Sequence, residues 1–142
     1  MIMGIASLIF VPMLAIAMVH FIWAFGFNWP VKDEKALART VAGFKGVEKM
    51  PPRLLSAAVA IAVLFAGVWV LAMADPQPSF ILSFGGAIIA LGFFARGVIG
   101  YTKKWHEITP EQPFRSLDKK IYSPLCLFIG VGVFVLLLWR VF

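Results

Sequence analysis

Cysteine, histidine and acidic residues are all scarce in this chain, and each scarcity removes a class of chemistry. Cys126 stands alone among 142 residues. That excludes an intrachain disulfide, a Cys-x-x-Cys redox pair and a thiolate metal cluster. His20 and His106 are the two histidines. No carboxylate stands at ligand spacing from His20, so the pattern calls for no metal and no cofactor. A phosphate-binding loop and a nucleophile motif are missing as well. Charge is thin overall: 61% of the residues are hydrophobic and 14% charged, too greasy for a soluble core of this size.

What remains is long apolar runs. A bilayer-spanning helix needs about 20 such residues, whereas buried helices of soluble proteins are shorter and carry charges. Four segments qualify, at about 4–27, 54–74, 80–101 and 121–141, the third interrupted only by Arg96. The expected fold is all-α: a polytopic membrane protein with an antiparallel bundle of four transmembrane helices in one domain, its partner the lipid bilayer. Ala15-x-Ala17 resembles a signal-peptide cleavage site. The run around it is too long and has no basic flank, so it reads as the first membrane helix.

The net charge of +6 is explained by position, not by nucleic acid. Lys32, Lys35, Arg39, Lys45, Lys49 and Arg53 fall in 28–53, and Lys103, Lys104, Arg115, Lys119 and Lys120 in 102–120. The turn at 75–79 has none. Lys and Arg accumulate in cytoplasmic loops, which places both long loops in the cytoplasm and both termini outside, with Arg140 the one contrary charge. Trp29 and Trp105 follow the inner ends of spans one and three, and Trp69 and Trp139 lie near the outer ends of spans two and four, as an aromatic belt requires.

Asp75-Pro76-Gln77-Pro78-Ser79 reads as a tight turn with Ser79 capping the third span. A short interfacial helix is expected at 33–44, with Leu37, Val41 and Phe44 on one side and Gly43 and Gly46 ending it. Span four admits two starts. Ser123-Pro124 suits an N-cap followed by a first-turn proline; alternatively the helix starts near Ser116 and bends at Pro124, which places Asp118 and Tyr122 on one face. The second reading is preferred.

The polar residues within this apolar frame concentrate at one level. His20, Trp23, Asn28, Arg96, Tyr101, Asp118 and Tyr122 all map to the inner third, while the outer two thirds are almost wholly apolar. Gly85, Gly92 and Gly100 share the direction of Arg96 on a helix, a stripe that permits close helix approach. Arg96 then either snorkels to the interface or makes an interior polar contact, and Asp118 either pairs with Arg96 or neighbouring Lys119 or is a solvated loop carboxylate. His20 is either an interhelical hydrogen-bond donor or a proton carrier. A cytoplasm-facing pocket lined by His20, Trp23, Arg96, Tyr101, Asp118 and Tyr122 accounts for the asymmetry.

His20-x-x-Trp23-Ala24-x-Gly26, Ala95-Arg96-x-x-x-Gly100 and Leu117-Asp118-x-x-Ile121-Tyr122-Ser123-Pro124-Leu125-Cys126 resemble the signatures of an uncharacterised bacterial family of small four-span membrane proteins. The resemblance covers essentially the whole chain. It implies the fold and an inner-membrane location, and brings no activity. Three functions compete. One is binding or transport of a small polar or anionic molecule or a lipid headgroup, with Arg96 as the anion contact and a homodimer supplying any missing relay. The second is an accessory subunit for a membrane-protein partner. The third is a membrane enzyme with His20 as general base oriented by Asp118 or Tyr122.

Overall fold

Four helices long and apolar enough to cross a membrane dominate the computed structural model, which describes all residues from Met1 to Phe142. They are α1 (Ile2–Ala24), α3 (Arg53–Ala72), α4 (Phe80–Ile99) and a last span over Phe114–Val141. Shorter helices lie in the two long loops: α2 (Glu34–Val41) in the first, α5 (Lys103–Ile108) in the second. The last span opens with α6 (Phe114–Leu117), passes through one π-helical turn at Asp118–Tyr122 and continues as α7 (Ser123–Val141).

The bundle is two tight pairs joined along a seam. α1 packs along α3, and α4 along α7; the pairs meet chiefly where α1 touches α7. Ala6, Ile9, Met13, Val70, Met73, Ala90, Ile129, Val133 and Leu136 form the shared core. Leu8, Val11, Ile61, Phe65, Ile81, Ile88, Leu91 and Phe128 point outward and are exposed. That outward apolar surface is what hydrocarbon, rather than water, accommodates.

Small residues set how close the second pair comes. Gly86, Ala90 and Gly97 are buried on α4, spaced so that they share one face. A side chain at Gly97 would run into Leu127, and one at Gly130 into the backbone of Phe94. At Gly100 the approach is tightest: a Cβ there would overlap the Ser123 hydroxyl. The stripe expected through Gly85, Gly92 and Gly100 is therefore only partly the packing face. Gly92 meets nothing within 4 Å, and the true face is rotated toward Gly86 and Gly97.

Both start readings for the fourth span give way to one continuous helix from Phe114. Ser123 does not cap a helix start, and the kinked reading comes closer. Pro124 has no N–H to donate and its ring crowds the carbonyl four residues back. The π turn immediately before it absorbs this mismatch by widening the helix for one turn. As a result Asp118 and Tyr122, expected on one face, point to different neighbours.

The two long loops fold onto each other as a cap at one end of the bundle. Asp33 caps α2 by accepting from the Ala36 amide at 2.8 Å, and Leu37 and Ala38 are buried. A helix where one was expected at 33–44 thus exists, over Glu34–Val41, packed against α6. Backbone bonds join the loops: Lys45 N–H to the Ile108 carbonyl and Glu111 N–H to the Gly43 carbonyl, each 3.2 Å. Arg39 donates to the Glu111 carboxylate, whose other oxygen accepts from the Gly46 amide at 3.0 Å. Gly43 has φ +67°, and a Cβ there would collide with the Phe114 ring, so only glycine fits on both counts.

At the opposite end the chain turns through 73–79. Ser79 caps α4, accepting from the Leu82 amide at 3.2 Å. Arg140, the one Lys or Arg on this side, is used locally: it donates to the Met73 carbonyl at 2.9 Å, to that of Gln77 at 2.8 Å and to that of Asp75. Cations near exposed helix carbonyls are favourable, which accounts for Arg140 without reference to sidedness.

Two outcomes are expected. Gly100→Ala must part α4 from α7 and should lower stability by about 1–3 kcal/mol, whereas Gly92→Ala should stay within about 0.5 kcal/mol of the parent; thermal unfolding in mild detergent compares them. The Arg39 guanidinium, and after it the Gly46 amide, hold the Glu111 carboxyl below its ordinary range. A depressed folded-state pKa stabilises above the unfolded value, about 4.3, and the contribution fades as pH falls through the folded one. Hydrogen exchange at the Gly46 amide should therefore accelerate, beyond the intrinsic pH trend, only below that range.

Candidate functional site

The most polar place inside the spans is built around Asp118. Its carboxylate is buried, at 2% exposure, and is held by three donors from three elements. Arg96 on α4 donates through Nη2 at 2.6 Å. Trp105 on α5 donates its indole N–H at 2.9 Å, and Ser123 at the start of α7 its hydroxyl at 3.2 Å. The guanidinium also sits 5.2 Å from the centre of the Trp105 ring, within cation–π range. Gly100 makes room for this, since any side chain there would displace Ser123 and Asp118.

Buried carboxylates are tolerated when paired and fully hydrogen-bonded, and this one is. Arg96, with about a third of its side chain exposed, neither snorkels free nor waits for a ligand. Of the two readings left open for it, the interior polar contact holds. Trp105 and Ser123 were not among the residues singled out from the sequence. Trp105 read as a belt tryptophan and Ser123 as a helix cap; their distances in sequence from Arg96 gave no hint of a shared partner.

His20 and Trp23 lie elsewhere. The His20 imidazole donates from Nδ1 to the Ile16 carbonyl at 2.7 Å on its own helix, and its ring centre is 4.8 Å from that of Trp23. Trp23 donates to the Trp29 carbonyl at 2.8 Å. Both line a cleft of about 110 Å³ between α1, the end of α2 and the start of α3, with Met50, Pro51, Leu55 and Ser56 opposite. No hydrogen bond or ion pair connects this cleft to Arg96 or Asp118.

Tyr122 and Tyr101 go separate ways. Tyr122 donates to the Thr40 carbonyl at 3.0 Å and stacks obliquely on Phe114, ring centres 5.7 Å apart, so it ties the last span to the first loop. Tyr101 donates to the Lys119 carbonyl at 3.2 Å and faces a larger groove of about 450 Å³, shared with Lys103, His106, Glu107, Pro110 and Arg115. His106 is fixed there by an Nε2 bond to the Gly100 carbonyl at 2.9 Å.

The six residues expected to line one pocket are thus spread out: Arg96 with Asp118 in a closed cluster, His20 with Trp23 in a small cleft, Tyr101 at the larger groove and Tyr122 bonded to the first loop. The acid–base set of the enzyme reading is not assembled. Asp118 is spent on Arg96, Tyr122 on Thr40, and the group orienting His20 is a backbone carbonyl. Cys126 is half-buried in the last span with no base bonded to it.

Among known proteins, the family described as "Protein of unknown function (DUF3995)" matches residues 13–133. No curated protein and no solved structure matches.

Replacing either charge of the cluster leaves the other poorly paired at a desolvated site. Arg96→Met and Asp118→Asn should each cost about 1–3 kcal/mol, below the fully buried figure because the guanidinium is partly exposed. The double variant should lose about 1 kcal/mol less than the sum. A double-mutant cycle by unfolding in mild detergent measures the coupling, and strictly additive losses would contradict the pairing.

Proposed function

This chain belongs to the protein family of unknown function DUF3995, and we propose from its own geometry that it is a membrane protein whose cap binds an anionic group. The ligand is a phosphate- or carboxylate-bearing molecule, either a lipid headgroup or a small soluble anion. The binding place is the groove of Tyr101, Lys103, His106, Glu107, Pro110 and Arg115.

One observation carries this reading. Arg96, the cation within the span, is already neutralised by Asp118 at 2.6 Å, while the cations bordering the groove are unspent. Of the two that line it, Arg115 is in no ion pair, and Lys103 reaches Glu107 only at 4.0 Å, both side chains largely exposed; Lys104, Lys119 and Lys120, elsewhere in the same loop segment, are in no ion pair either. All five lie within residues 103–120, between the end of α4 and the first turns of the last span, and each Lys or Arg near an anionic surface contributes about 1 kcal/mol. Tyr101 supplies a ring beside them. The same clustering of positive charge supports a cap facing the cytoplasm, with both termini across the membrane, and the resemblance of the motifs supports a bacterial inner membrane as the site of action.

A second reading, an accessory subunit of a membrane complex, is favoured by how much of the polar inventory is consumed internally. Arg96, Asp118, Trp105, Ser123 and Tyr122 all bond within the chain. In that role the cap is a rigid docking platform, and a partner co-purifies in fixed stoichiometry.

The test compares the full-length protein with a Lys103→Gln/Arg115→Gln variant in mild detergent. Phosphatidylglycerol, phosphatidylcholine and inorganic phosphate are added separately. Phosphatidylglycerol should stabilise the parent protein, and the double change should weaken it by about 2 kcal/mol, roughly thirty-fold. Stabilisation by phosphate at equal potency would assign the groove to a soluble anion. Equal responses of parent and variant to every probe would reject anion binding and leave the accessory role.

A further inference from the structure

The cleft beside His20 has a chemical character quite unlike that of the basic groove. It is lined by His20, Trp23, Val41, Ala42, Met50, Pro51, Leu55, Ser56 and Val59. No lysine, arginine, aspartate or glutamate borders it. A phosphate, carboxylate or ammonium head would find no countercharge there and would lose its hydration, so any occupant's head is neutral.

Two polar groups nevertheless face the cleft without partners. The Ile16 carbonyl can only accept, so Nδ1 of His20 carries its proton. In the neutral ring Nε2 is then an acceptor, and no group of the protein donates to it. Ser56, on the opposing helix α3, is 5% exposed, and its hydroxyl bonds to nothing in the chain. Helical serines and threonines can bond back to the carbonyl four residues earlier, as Thr40 does to Ala36 at 2.7 Å; Ser56 does not. A lone acceptor and a lone hydroxyl on facing helices of an apolar cleft are a recognition pair for one hydroxyl group, which both donates and accepts.

Size and shape narrow the choice further. The cleft measures about 110 Å³, and an apolar cavity of about 150 Å³ holds a benzene ring. Being open on one side, this cleft admits a ring with its outer edge free. The Trp23 indole offers a flat face and Met50, across the cleft, a polarizable side chain, both suited to such a ring. Leu55, exposed toward lipid, leads an attached chain out along α3.

We propose that this cleft binds the head of a neutral, hydroxyl-bearing aromatic amphiphile of the phenol class. Its hydroxyl donates to Nε2 of His20 and accepts from Oγ of Ser56, its ring lies on Trp23, and its alkyl tail passes Leu55 into the bilayer. The proposal is independent of anion binding at the cap, because none of these residues borders the basic groove.

The experiment uses full-length protein in mild detergent, with 4-octylphenol, its methyl ether 4-octylanisole, and glycerol monooleate as probes of thermal stability. Octylphenol should stabilise the protein more than the ether, which cannot donate to His20. Ser56→Ala, which removes one oxygen and leaves the unliganded unfolding temperature near the parent's, should weaken octylphenol about five-fold, as loss of one neutral hydrogen bond implies, and should weaken the ether as well, since its oxygen can still accept from Ser56. His20→Gln, tested alongside, should narrow the gap between phenol and ether. Equal stabilisation by phenol and ether, or parent-like octylphenol binding by Ser56→Ala, would overturn the proposal. Equal potency of glycerol monooleate would overturn the aromatic head.

Discussion

The Asp118 carboxylate is the point on which the cap end of the molecule depends. A charge at that depth is tolerable only if paired and saturated with donors, and the donors come from α4, α5 and the start of α7. Satisfying it therefore fixes three elements at once. It sets the height of α4 against the last span, pulls the α5 tryptophan down onto the guanidinium, and demands glycine at position 100, where no side chain fits. The π turn that starts at Asp118 directs that carboxylate toward Arg96 and lets Tyr122 turn away to Thr40.

From this anchor the cap follows. Tyr122 and Phe114 hold the first loop against the last span, Phe114 fills the space left by Gly43, and Trp105 touches both Phe44 and Phe114, with ring centres 6.4 and 6.5 Å away. The cap is thus a small aromatic core of its own beneath the membrane-spanning one. Its outer surface keeps the unspent positive charge, and its far edge, with α1 and α3, leaves the uncharged cleft. The basic groove and the uncharged cleft thus differ in the chemistry of their linings.

Much of this was legible residue by residue. The lengths of the apolar runs gave four spans, because the bilayer imposes a minimum length that no soluble helix has to meet. Ser79 and the glycines at 43 and 46 announced their turns through local chemistry alone. Arg96 announced itself as needing an explanation. What could not be read was the explanation chosen. Nothing in the spacing said that Trp105 rather than lipid would take the guanidinium's face, or that Ser123 would bond to Asp118 instead of capping a helix. The wheel through Gly85, Gly92 and Gly100 had the right idea with the wrong phase, since Arg96 flanks the packing face and does not centre it.

The sequence by itself determined that this chain is an all-helical, four-span membrane protein with its polar residues gathered at one end, because hydropathy, caps and breakers act over a turn or two of chain. Only the tertiary structure decided that those polar residues form separate places, not one pocket. Depth in the membrane follows from position along a span, but azimuth and neighbour follow from how helices rotate and pair. For this chain that rotation was settled by small residues on α4 and one widened turn before Pro124.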